Sequence, residues 1–133
     1  MTLHLRAVLS VALTALLASA CASAPPSQAV VAGTYGWSLG CCIGLELRLG
    51  AEGRYELQTW SSDMEAPSMR EGRWQFHDGR VQLVPAASSS LGLIASLEVV
   101  TRHGVPALAR MEDIAGQTVH ESSLLKRLPR SPR

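Results

Sequence analysis

The feature that most constrains this chain is a two-residue alternation that recurs in short runs and is punctuated by turn residues. Leu45-Glu46-Leu47-Arg48-Leu49 places apolar side chains on one side and charged ones on the other, without an error. Side chains point to opposite faces at successive positions of an extended chain, so this run reads as a half-buried strand. Gly50-Ala51-Glu52-Gly53 is a Gly-rich link, and Arg54-Tyr55-Glu56-Leu57-Gln58-Thr59 alternates again. Together they predict a hairpin. A second follows in Gly72-Arg73-Trp74-Gln75-Phe76-His77, with Trp74 and Phe76 on the apolar side. Asp78-Gly79 supplies the two positive-φ positions of a type I′ turn. Arg80-Val81-Gln82-Leu83-Val84 returns, and Pro85 stops it.

Less regular runs complete the pattern. A first strand is expected near Thr34 to Leu39 and another over Leu91 to Arg102, turning at His103-Gly104. Val105 to Met111 follows, demoted by Pro106 to an edge or bulged position. Gly116-Gln117 suggests a turn before Thr118 to Glu121, and Leu124 to Leu128 reads as a closing strand. Ile114 to Leu125 is the segment where a short helix competes with strand. Seven or eight strands of about six residues, with links of about four, fill Gly33 to Leu128. The expected fold is all-β, an antiparallel meander closing into an up-and-down barrel, with a two-sheet sandwich as the alternative. A closed barrel removes unpaired edges, and at this size it is filled by its own side chains or holds one small ligand.

The first twenty residues read differently. Arg6 carries the only charge of the region, and Ala7 to Ala20 is an uncharged, apolar run ending in small side chains. That is the pattern of a secretory signal peptide, and its roughly 14 apolar residues fall short of the about 20 needed to span a bilayer. The expected organisation is a signal peptide over residues 1–20, a flexible tether over 21–32, a barrel over 33–128 and a disordered basic tail over 129–133.

Two resemblances refine this reading. Leu17-Ala18-Ser19-Ala20-Cys21 resembles the lipobox of bacterial lipoproteins, with Ala18 where the usual Leu stands and Leu17 one place early. The resemblance implies lipid attachment at Cys21, and Ala22 in place of Asp then implies sorting to the outer membrane, on its periplasmic side. Ala18-Ser19-Ala20 is also an ordinary A-x-A cleavage site, which would release a soluble periplasmic or secreted protein. Further along, Gly33-Thr34-Tyr35, Gly53-Arg54-Tyr55, Gly72-Arg73-Trp74 and Asp78-Gly79-Arg80-Val81-Gln82-Leu83 together resemble small bacterial lipocalin-like lipoproteins. Gly36 stands directly beside Trp37, whereas a lipocalin's first strand carries G-x-W. The likeness implies a calycin-type barrel and permits a ligand pocket.

Charge narrows the partners. Removing Arg6 from the twelve basic residues leaves eleven, matching eleven acidic ones. A neutral chain without a basic face is not built to displace counterions from nucleic acid. The basic end, Lys126, Arg127, Arg130 and Arg133, is interrupted by Pro129 and Pro132 and reads as solvated.

Candidate chemistry is sparse, and no catalytic residue, cofactor or metal is called for. Gly36-Trp37-Ser38-Leu39-Gly40 matches the G-x-S-x-G elbow of α/β-hydrolases, but that elbow needs a strand turning into a helix. Cys41-Cys42 could form a vicinal disulfide, split into one buried and one surface thiol, or bridge two molecules. His77 and His103 sit beside glycine turns, and His77, His103 and His120 could meet at a barrel mouth as a metal site, with metal binding at Cys41-Cys42 a minor alternative. The long link Ser61 to Arg70, after an outward-facing Trp60 and containing Met64 and Met69, is the expected ligand or partner loop. The functional expectation is a non-enzymatic module binding a small apolar or amphiphilic ligand. The alternative is a solid barrel that binds another envelope protein. Large residues such as Tyr55, Trp74 and Phe76 decide between them by how far they fill the interior.

Overall fold

A computed structural model describes residues 28–86, 91, 94–115 and 119–130 of the chain. The signal peptide, Cys21 and most of the tether lie outside the described residues. Eight strands, β1 (Gly33–Leu39), β2 (Ile43–Leu49), β3 (Arg54–Ser61), β4 (Ser68–His77), β5 (Arg80–Pro85), β6 (Ser96–Arg102), β7 (Val105–Arg110) and β8 (Leu125–Arg127), pair antiparallel in sequence order and close into a barrel. Helix is confined to α1 (Gln28–Val31), α2 (Met111–Ala115) and a 3-10 turn at Glu121–Ser123. The fold is the expected all-β barrel.

The alternation does the sorting. Tyr35, Leu47, Leu49, Tyr55, Leu57, Trp74, Val81, Leu83, Leu97, Leu108 and Leu125 all point inward and form one core. The two-residue turns are built as their residues require, with Asp78 and Gly79 at φ 50° and 75° and His103 and Gly104 at 52° and 76°. Gly72 is inward-facing where β4 passes closest to its neighbours, and a Cβ there would collide with the Val84 carbonyl and lie 2.8 Å from the Tyr55 ring. That close approach explains the glycine of Gly72-Arg73-Trp74.

Four segments depart from the sequence expectations. Gln28 to Ala32 is not part of a free tether: α1 packs on the barrel and Val31 is buried in the core. β6 begins only at Ser96, because Leu91, Ile94 and Ala95 are apolar without alternation. Leu91 and Ile94 turn into the barrel end instead of extending the strand. After β7 the chain forms α2, where strand was expected through Met111, and the 3-10 turn replaces the end of the predicted strand Thr118 to Glu121. Ile114 of α2, Val119 and Leu124 cover Ala107 and Ala109 on the outer face of β7, a second small core outside the barrel. Pro106 pairs with Thr101 of β6 but lies beyond the reach of β8, which pairs only Ala107 and Leu108 of β7. Pro129 and Arg130 are exposed and without regular structure, and the rest of the tail is outside the described residues.

Closure is thinnest at β8. It holds β1 through Tyr35 opposite Arg127 and Gly36 opposite Lys126, and β7 through two further pairs. By contrast β1 and β2 align over seven.

Candidate functional site

Antiparallel order gives the barrel two ends with different contents. The end where β1 starts, here the base, carries the Gly50–Gly53 link and the two I′ turns. Trp74 fills its interior, and its indole N–H donates to the Gly50 carbonyl at 2.8 Å. α1 lies across it. The Tyr35 hydroxyl donates to the Val31 carbonyl at 2.6 Å, and Arg127 donates to the carbonyls of Val30 at 3.2 Å and Ala32 at 2.6 Å. Arg127 also lies over the Tyr35 ring, 6.0 Å from its centre. The Trp74 indole, the Tyr35 hydroxyl and the Arg127 guanidinium thus each donate to a backbone carbonyl at this end.

The opposite end, the mouth, is less filled among the described residues. A cavity of about 300 Å³ is lined by Trp37, Leu45, Leu57, Leu91, Ile94 and Leu125, with Thr59, Ser123, Arg70 and Arg110 as its polar members. Register explains the polar set. Thr59 and Arg70 share the inner face with Leu57, opposite which Arg70 stands, and Arg110 follows Leu108 by two residues on β7. No acidic residue lines the cavity. Arg110 is oriented from outside it: its guanidinium meets Asp113 at 2.9 Å and Glu112 at 3.2 Å, both on α2. The Trp37 indole donates to the Ser122 carbonyl at 2.7 Å and fixes the 3-10 turn at the rim.

Among the described residues one buried side-chain polar atom is unsatisfied, and it stands toward the base, on the residue opposite Leu49 and Gly72. The Tyr55 hydroxyl is buried and makes no hydrogen bond. Burial pushes its phenol above the ordinary range, and the positive charge of Arg70 offsets part of that rise.

The residues singled out from sequence are distributed elsewhere. Trp60 lies on the outer face of β3, half-buried over Gly44, which has no side chain to block the indole ring. Met64 is in the link, Met69 is on the outer face of β4, and both are exposed. None of the three lines the cavity. The link itself is shorter than expected, since β3 extends to Ser61 and β4 begins at Ser68. Cys41 and Cys42 are both exposed at the tip joining β1 to β2, as free thiols with their sulfurs 2.8 Å apart, so neither is buried. Ser38 is exposed on β1, which runs into that hairpin tip and not into a helix. His77 and His103 are at the base and His120 precedes the 3-10 turn at the mouth, so the three do not meet. Among the described residues no three His, Cys, Asp or Glu side chains are grouped as a metal site.

The cavity residues Arg70, Arg110, Leu91 and Ile94 were not singled out from sequence. Leu108-Ala109-Arg110 carried a signal, because alternation puts Arg110 on the same face as Leu108. Comparison with protein-family models, with curated proteins and with solved structures finds no match to this chain.

Proposed function

We propose that this protein is an exported, lipid-anchored barrel that binds a small amphiphile in its mouth and catalyses no reaction. The observation that carries the reading is the cavity at one end of a barrel whose other end is filled. A solid scaffold has no need of an apolar-lined hollow of about 300 Å³, a volume at the lower bound of ligand sites. At about 30 Å³ of liquid volume per water-sized group, it accepts roughly ten non-hydrogen atoms. Six apolar residues suit a hydrocarbon body. Guanidinium groups only donate hydrogen bonds, so Arg70 and Arg110 select a head group that accepts them, a carboxylate or phosphate.

Purified mature protein titrated with decanoate tests this, read through indole fluorescence and assigned with Trp37→Phe. Saturable binding of decanoate, weaker binding of decanol, and a loss of about ten-fold or more in affinity on Arg70→Ala are expected. Absence of saturation, or equal binding of acid and alcohol, overturns the proposed ligand. The anchor is tested separately. Metabolic labelling with palmitate should mark the protein and should vanish in Cys21→Ser.

A further inference from the structure

The tip of the β1–β2 hairpin holds a feature that ligand binding does not use. Leu39 pairs with Ile43, leaving Gly40, Cys41 and Cys42 as a three-residue connection. Gly40 sits at φ 64° and bends the chain sharply. In an extended strand, adjacent side chains point to opposite faces and two neighbouring thiols cannot meet. The bend cancels that separation. Both cysteines are exposed, and their sulfurs lie 2.8 Å apart, closer than an ordinary contact between thiols.

We propose that Cys41-Cys42 is a reversible two-electron thiol–disulfide site whose co-reactant is an accessible disulfide of the surrounding medium. The thiolate of Cys41 attacks one sulfur of that disulfide, forming a mixed disulfide and expelling the first thiolate. Cys42 then attacks the Cys41 sulfur, forms the Cys41–Cys42 bond and expels the second thiolate. Two electrons leave the protein, and the two protons lost by the cysteines are taken up by the two released thiolates. The contact with Cys41 raises the Cys42 thiol above its ordinary range. Neighbouring α-carbons are about 3.8 Å apart, less than the usual span of a disulfide, so the closed form is strained. Strained, exposed disulfides are the readily reduced kind, and the site opens again when thiol is in excess. Nothing in this step depends on the cavity.

The test uses the full mature protein with glutathione disulfide as the probe, followed by thiol blocking and intact mass. The expected product has lost the mass of two hydrogens, carries no glutathione and has Cys41 and Cys42 joined within one peptide. Reduced glutathione should reverse it. Cys42→Ser should instead accumulate a glutathione adduct on Cys41, because the resolving thiol is gone. A stable adduct on both cysteines of the unsubstituted protein, a disulfide-linked dimer, or two thiols unchanged by the probe would each overturn the proposal. Circular dichroism of Cys42→Ser confirms that the barrel is intact when the adduct is measured.

Discussion

The two ends of this barrel are built from the same strands and carry opposite content. At the base, Trp74, Tyr35 and Val31 occupy the interior, and Arg127 donates to the backbone carbonyls of Val30 and Ala32. At the mouth, the inward positions two to four residues along the same strands are Trp37, Leu45, Thr59 and Arg70, and a hollow remains between them. The difference shows that fullness is set end by end. At the base an arginine is held by backbone carbonyls, whereas at the mouth Arg110 is held by the carboxylates of Glu112 and Asp113.

That contrast can be broken by substitution, and the largest effects belong to the base. Trp74→Ala removes a buried ring and the indole bond to Gly50. It should cost about 3–5 kcal/mol in urea unfolding, whereas a loss under about 1 kcal/mol would mean the base is not packed as described. Tyr35→Phe leaves the packing and deletes only the hydroxyl bond to Val31, for an expected loss of about 1 kcal/mol. At the mouth, Ile94→Ala should cost less than Trp74→Ala in the same assay, since Ile94 is half-buried beside a hollow, while enlarging the cavity enough to shift binding toward longer acids. Tyr55→Phe should be neutral or slightly stabilising, because the hydroxyl it removes is buried without a partner.

A pH series sharpens the same comparison. Burial raises the Tyr35 phenol above its ordinary value of 10.0, so the folded state holds a proton that the unfolded chain releases first. The unfolded state then binds fewer protons, and stability falls as pH rises from about 10 toward the folded value. Below about 10 the contribution is complete. Tyr55 is raised as well, so the phenolate absorbance of Tyr35→Phe reports Tyr55 alone and its difference from the wild type isolates Tyr35.

Much of the base was legible in the sequence, and little of the mouth. Alternation around Leu47, Tyr55, Trp74 and Val81 names the core because the strand period is local. Asp78-Gly79 and His103-Gly104 name their turns because the required φ is a property of those two residues. α1 escaped notice because four residues have no helical periodicity. It is held by Tyr35 and by Arg127, the latter 97 residues along the sequence from the Val30 carbonyl it bonds. Arg70 was read as loop because Ser68 and Met69 before it do not alternate, yet pairing with β3 carries β4 down to Ser68. Leu91 and Ile94 form part of the cavity wall from a stretch with no period, and only the closed ring shows where they land.

The short strand β8 has one more consequence. It is the last of the eight to be made, and with two residue pairs on each flank it is the only latch between the first strand and the seventh. Without it β1 has a bare edge, the ring is an open ribbon and the cavity lacks the Leu125 part of its wall. On the proposed function, ligand capture therefore waits for the closed ring.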